Sequence, residues 1–152
     1  MAKVRSFRAG DEARLAEIAN EAFADEIHRG MLVFDAEYFV KRSAMPRVRL
    51  TVAALGSAPL GFALLTDATV EAPAQLHLVA VDAGHRGVGL GRLLVGDAVE
   101  YARGSGAAKL KLSARPWNAA MRGLCRSLGF NEEATLRLEY LGEDLVQYAY
   151  FY

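Results

Sequence analysis

The sequence holds a single cysteine and no surplus of either charge. One cysteine cannot close an internal disulfide or furnish a cysteine-based metal site, and no metal is expected. With 18 basic residues against 18 acidic ones, the chain lacks the positive footprint by which nucleic-acid binders engage phosphates. No nucleic-acid partner is expected. No apolar run approaches the roughly eighteen residues of a membrane span, since Gly, Pro or Asp interrupts the longest ones, so no membrane partner is expected either. The start MAKVRSFRAGDEARL has no apolar core of the kind a signal peptide needs, which predicts a cytoplasmic protein. Repeats, linkers and low-complexity segments are also missing. What remains is a 53% hydrophobic chain of one-domain length, enough to bury a core, and a single domain over residues 1–152 is expected.

The signals that are present mix strand and helix. Lys3 to Arg8 alternates in character, and Asp11 stands where it can cap a helix that carries Leu15, Ile18, Ala19, Ala22 and Phe23 at helical spacing. A weaker pattern suggests a short helix over Ala36 to Arg42, ended before Pro46. Arg49 to Leu55 and Leu60 to Thr66 flank Gly56-Ser57-Ala58-Pro59 and read as a hairpin, with a further strand over Ala74 to Val81. Leu90 to Arg103 sets Leu90, Leu93, Leu94, Ala98 and Tyr101 on one helical face, stopped near Gly104-Ser105-Gly106. A strand over Lys109 to Ala114, a helix capped by Asn118 and ended by Gly129, and strands over Leu136 to Leu141 and Leu145 to Phe151 complete the chain. Hairpins at both ends argue for an α+β fold with a partly antiparallel sheet rather than a regular parallel series.

The most informative segment is VDAGHRGVGLGRLL, Val81 to Leu94, in which a strand runs into glycines and then directly into an amphipathic helix. Glycines let consecutive backbone N–H groups turn toward one point, the helix start adds roughly half a positive charge, and Arg86 and Arg92 add full ones. A diphosphate suits such a turn; a glycine-rich helix cap is the plain alternative. A nucleoside triphosphate loop needs Gly-Lys followed by Ser or Thr, but Gly91 is followed by Arg92 and Leu93. A dinucleotide fingerprint needs a third glycine where Leu94 stands, and no acidic residue ends the next strand.

A third ligand class is acyl-coenzyme A. Arg86-Gly87-Val88-Gly89-Leu90-Gly91 resembles the Arg/Gln-x-x-Gly-x-Gly/Ala loop of the GNAT superfamily of N-acyltransferases. The preceding strand LHLVAV, the following helix, the strand KLKLSA, Asn118 and Leu128-Gly129-Phe130 resemble that family's order over roughly residues 74 to 131. The resemblance implies a mostly antiparallel sheet of about seven strands, splayed between the fourth and fifth and flanked by about four helices. It also implies acetyl-CoA as cosubstrate. The pantetheine arm would pair with the open strand edge at Val79, Ala80 and Val81, and the amides of Arg86, Gly87, Val88, Gly89, Leu90, Gly91 and Arg92 would hold the diphosphate. The Asn118 side chain would bond the pantetheine arm.

The implied reaction is direct attack by a primary amine on the thioester in a ternary complex, the acceptor being an amine-bearing small molecule, protein or peptide. Reference pKa values of about 8 for α-amines and about 10.4 for lysine leave most amines charged at neutral pH, so a base is useful. Strand alternation sets Gln75, His77, Val79 and Val81 on one face, which makes His77, with a reference pKa of about 6.5, the first candidate for that base. A half-buried strand histidine is the competing reading. His85 beside the loop reads as packing or a phosphate neighbour. His28 lies among the acids Glu21, Asp25, Glu26, Asp35 and Glu37, which either attract a cationic amine or form a solvated helix face. Tyr148, Tyr150 and Tyr152 alternate onto one face that lines the acceptor pocket, fills the core or forms the edge of a homodimer.

Seven places after Asn118 the family pattern has a tyrosine that serves as general acid to the departing thiolate; this sequence has Cys125 there. Cys125 inherits that role by position. Met121, Leu124, Cys125 and Leu128 also share helical spacing, which favours packing, with Phe130 folding back over Gly129. Two other readings stand beside the enzyme: an acyl-CoA-binding sensor or partner domain without turnover, and a nucleotide-binding module using the same glycines.

Overall fold

The computed structural model describes residues 1–152. Strand β1 (Lys3–Ser6) leads to helices α1 (Glu12–Ala22), α2 (Ala24–His28) and α3 (Ala36–Ala44). A hairpin of β2 (Val48–Leu55) and β3 (Ala58–Thr66) precedes β4 (Ala74–Val81), a 3-10 turn at Ala83–His85 and α4 (Leu90–Gly104). Strand β5 (Lys109–Ala114), helix α5 (Ala119–Ser127) and the hairpin of β6 (Asn131–Tyr140) and β7 (Glu143–Phe151) finish the chain. All seven strands join one sheet in the order β1, β2, β3, β4, β5, β7, β6, and every neighbouring pair is antiparallel except β4 with β5. The expected α+β architecture is therefore present, with five α-helices rather than about four. The additional one, α2, has only the five residues ADEIH, too few to display a period.

The central strands bury both faces, and alternate residues go to different cores. Leu50, Val52, Phe62 and Leu64 pack with Leu15, Ile18 and Phe39 under α1 and α3. Ala53, Ala63 and Leu65 pack with Leu94, Val95 and Ala98 under α4, where Cys125 of α5 joins them. Gly61 allows β3, β4 and α4 to approach closely. A Cβ there would lie 2.8 Å from the Ala80 carbonyl oxygen and 3.2 Å from a methyl of Leu94.

Two features of β4 shape the site. Against β3 its register jumps, because Leu64 opposes Leu78 while Leu65 opposes Leu76, leaving His77 as an extra residue. Such a bulge bends its strand and breaks alternation. Ala74 and Leu76 consequently share the α4 side with Val79 and Val81, whereas Leu78 and Ala80 pack toward α1. The common face expected for Gln75, His77, Val79 and Val81 is thus interrupted at His77. Against β5, β4 pairs only at Ala74 with Leu110 and Gln75 with Lys111, and beyond those residues the two strands part.

Three local expectations change. The Asp11 side chain does not cap α1; it receives two bonds from the Arg5 guanidinium, at 2.8 and 3.0 Å, and one from the Arg8 amide at 2.8 Å. A bidentate charged partner outcompetes a neutral helix amide. Strand β6 starts at Asn131, five residues before Leu136, because this sheet-edge segment is mostly exposed and carries no buried alternation to read. Helix α3 extends to Ala44, two residues past its expected end, and its Asp35 cap accepts from the Tyr38 amide.

Candidate functional site

The parting of β4 and β5 opens a cavity of about 620 Å³ whose wall also includes residues from α2, α3 and the β6–β7 hairpin. Most of its lining is apolar, which leaves its polar members conspicuous: Glu26, Arg42, Thr66, Gln75, His77, Ser113, Arg115 and Asn118. An apolar cleft with a few convergent polar groups is the usual form of a small-ligand site.

His77 reaches the cavity from the β4 bulge, and its Nε2 lies 2.8 Å from the Thr66 hydroxyl. The surrounding walls, and then the positive charges of Arg42 and Lys111, push its pKa below the ordinary 6.5. The imidazole is therefore mainly neutral at pH 7, the form that can accept a proton. Asn118 sits at the start of α5, and its Oδ1 accepts from the Met121 amide at 3.1 Å. Helix capping uses only this oxygen, so the amide nitrogen keeps its donors.

Beyond the end of β4, Gly87 and Gly89 adopt left-handed φ values of 78° and 93°, and Gly89 is the residue from which α4 starts. The backbone N–H groups of Val88, Gly89, Leu90, Gly91 and Arg92 donate to no protein acceptor. Five unspent donors thus gather at the positive end of a 15-residue helix, an arrangement that favours an anion. The flanking side chains brace it. Arg92 donates to Ser127 of α5 at 2.7 Å, and Arg86 bonds back to the Val81 carbonyl at 3.3 Å. His85 pairs with Asp82 at 2.7 Å, and Asp82 also holds Arg14 of α1. His85 thus has a structural partner. His28 is exposed at the end of α2 and does not line the cavity.

Cys125 is wholly buried in the core beneath α4 and does not reach the cavity. Burial pushes its thiol pKa up to about 11, the opposite of activation. Its carbonyl accepts the Phe130 amide at 2.9 Å across left-handed Gly129, a helix-closing bond that folds Phe130 into the same cluster. The terminal tyrosines are placed differently. Tyr148 is buried and receives a bond from Arg122 Nε at 2.9 Å, Tyr150 packs on Phe130, and the Tyr152 hydroxyl donates to the Val99 carbonyl at 2.6 Å. Tyr148 fills the core, Tyr150 packs against its margin, Tyr152 stays exposed at the sheet end, and none of the three lines the cavity.

The sequence reading missed Arg115. The residue is only 5% exposed, and its guanidinium bridges Glu26 of α2, 3.2 Å away, and Glu143 at the start of β7, 2.8 Å away. The rings of Trp117 and Tyr140 flank it at 5.4 and 5.3 Å. The available signal was an arginine directly after the β5 pattern, three residues before Asn118, where a solvated loop charge is the ordinary interpretation. Tyr140 gave no signal at all, since its place in the cavity wall depends on how the β6–β7 hairpin folds over the sheet.

A sheet that opens beside an amide-lined turn defines the class: a mixed α+β protein with a split between its two parallel strands and a glycine turn beyond the end of the first. The chain belongs to the acetyltransferase (GNAT) family, whose model matches residues 13–130. A [ribosomal protein bS18]-alanine N-acetyltransferase of Escherichia coli (strain K12) is 43% identical over 67 residues, which are 44% of this chain and 45% of that protein. The match thus spans less than half the length of the curated relatives. The crystal structure of the ribosomal-protein-S18-alanine N-acetyltransferase from Escherichia coli superposes with a TM-score of 0.74 at 25% identity, covering 98% of this chain and 92% of that one. The YncA structure from Salmonella typhimurium, solved with its cofactor acetyl-CoA, shares the fold with a TM-score of 0.81 at 23% identity, over 99% of this chain and 93% of that one.

Proposed function

We propose that this protein is an N-acetyltransferase that moves the acetyl group of acetyl-CoA onto a primary amine by direct attack in a ternary complex. The observation that carries the reading is the row of unspent amides at Val88 to Arg92, set beside a strand edge that β5 leaves open after Gln75. The residues suit the cosubstrate. The amides would hold the diphosphate with Arg86 and Arg92 beside them, the freed edge at Val79, Ala80 and Val81 would pair with the pantetheine amides, and the Asn118 nitrogen would donate to that arm. Acetyl-CoA supplies an activated acyl thioester, and a backbone N–H on the open edge of β4 polarises its carbonyl.

The chain's own groups manage the proton. In the tautomer whose Nε2–H donates to the Thr66 hydroxyl, Nδ1 carries the lone pair that takes a proton from the acceptor ammonium, directly or through water. Cys125 is too enclosed to act as nucleophile or acid. A thiol with a reference pKa of about 8.5 leaves as thiolate without obligatory protonation, so its burial does not block transfer. No group of His, Cys, Asp and Glu side chains converges to hold a metal, and no helix is long and apolar enough to cross a membrane. The relatives' names favour an amine on a protein as acceptor.

The test is release of coenzyme A thiol across a panel of amines. Amine-dependent release with a mass increase of one acetyl group on the acceptor is expected. The absence of the family's tyrosine at Cys125 favours a second reading, an acyl-CoA-binding domain without turnover. Saturable acetyl-CoA binding with no amine-dependent release would select it.

A further inference from the structure

One side of the cavity wall carries a positive charge that nothing in the protein balances. Arg42, half-buried in the last turn of α3, lines the cavity, yet no carboxylate stands within ion-pairing distance of it. Its one hydrogen bond goes to the thioether sulfur of Met45 at 3.4 Å, a weak acceptor, and the Tyr38 ring lies 4.9 Å from the guanidinium carbon. The nearby acids are engaged elsewhere. Glu26, the only carboxylate in the cavity wall, pairs with Arg115, and Glu37 on the same helix as Arg42 pairs with Lys41.

The sheet adds donors on the same side. Gln75 is the last β4 residue to pair with β5, opposite Lys111, and Ser113 follows two residues later on that strand. Leu110 and Leu112 enter the core under α4, so alternation turns Lys111 and Ser113, with Gln75 beside them, to the face on which α3 packs. The side chains of Gln75, Lys111 and Ser113 donate to no protein acceptor, and Gln75 and Ser113 line the cavity. Both Arg42 and Lys111 act on His77 with their charge. Glu133, the acid that Lys111 also influences, is bonded by Lys109 and Gln147.

This excess charge bears on the acceptor. An amine that arrives as an ammonium brings a third positive charge beside Arg42 and Lys111. A carboxylate on the same molecule reverses the sign, because it meets a guanidinium whose N–H groups have no oxygen partner. The coenzyme's diphosphate is not that anion. The glycine turn lies at the opposite end of β4 from Gln75, about 20 Å away at ordinary strand rise.

Resting on the acetyltransferase reading above, we propose that Arg42 is a specificity-determining residue that pairs with a carboxylate carried by the acceptor, with Gln75 and Ser113 as further donors. Lys111 adds attraction from behind them. The substrate class is an amine that bears a carboxylate, supplied either by a free amino acid or by an acidic side chain at a peptide amino terminus.

The experiment uses two pairs of acceptors matched in shape and different in charge: alanine against alaninamide, and aspartyl-alaninamide against asparaginyl-alaninamide. Each is measured by calorimetry for binding to the protein saturated with coenzyme A, which needs no turnover, and separately for kcat/KM. In at least one pair the carboxylate is expected to bind about tenfold to a hundredfold more tightly than its neutral counterpart. A preference confined to the alanine pair makes a free amino acid the source, and one confined to the aspartyl pair makes it an acidic peptide terminus; either sustains the proposal. Arg42→Gln should bring the ratio to about one, and Lys111→Gln should lower it in part, with coenzyme A binding by each variant as the check that it is folded. Equal or weaker binding of the carboxylate in both pairs by the wild type overturns the proposal, as does a preference that survives Arg42→Gln. Selective binding of a carboxylate without turnover of any amine would sustain the role of Arg42 and overturn the acetyltransferase reading instead.

Discussion

His77 and Cys125 show how far a residue's chemistry depends on where its backbone places it. Both are titratable groups in family-like positions, yet one opens onto the cavity and the other is sealed under α4. For His77 the pKa shift gives a testable sign. Its acid form predominates only below a pKa that lies under 6.5, so wild-type kcat at saturating amine should fall on that acidic side and level off above it. His77→Ala is expected to lower kcat about a hundredfold and to remove this acidic limb, while leaving the acetyl-CoA dissociation constant in place. An unchanged pH profile in the variant would assign the limb to another group. Position 125 was readable from its spacing alone, because Met121, Leu124, Cys125 and Leu128 mark a buried stripe and the structure buries them there to differing degrees. The role of Arg115 was not, since nothing in its neighbours Ala114 and Pro116 announces two glutamates arriving from 89 residues before and 28 residues after it.

Individual elements divide between those written in local pattern and those shaped by contact. Strand β4 and strand β5 occupy the residues that their composition indicates, and α4 begins at the expected Leu90. The bulge at His77 could not be read, because alternation looks continuous from Gln75 to Val81 until β3 is laid against it. That single extra residue decides which way the candidate base faces. The close approach at Gly61 is another contact property. Gly61→Ala would press a methyl against the Ala80 carbonyl and Leu94, with an expected destabilisation of about 1–3 kcal/mol in denaturant unfolding. A cost within measurement error would mean that β3 and β4 have room to separate there.

Across the whole molecule, distant segments are tied together over the cavity by charge. Glu143 holds Arg115 and Arg29, and through them it links β5, α2 and the last hairpin. The Arg115 guanidinium, and then that of Arg29, draws the Glu143 carboxyl down to about 2 from an ordinary 4.5. Because its folded pKa is the lower one, Glu143 adds stability above about pH 4.5, and that contribution is lost as the pH falls from there toward 2. Wild type should therefore melt above Glu143→Gln at pH 7, and the gap in Tm should close as the pH approaches 2. A gap that persists at pH 2 would trace the effect to packing rather than ionisation.

Two kinds of information separate cleanly. The sequence by itself determined the α+β class, the glycine turn, the helix that follows it, and the pairing of Asn118 with a buried Cys125 stripe. Each depends on backbone propensity or on residues a few places apart, so each leaves a local signature. Only the tertiary structure decided that β4 bulges at His77, that Tyr148 goes into the core while Tyr152 stays exposed, and that Glu143 joins Glu26 on Arg115 beside the cavity. Those outcomes depend on strand register and on ion pairs between residues far apart in the chain. No local pattern encodes which distant charge will arrive.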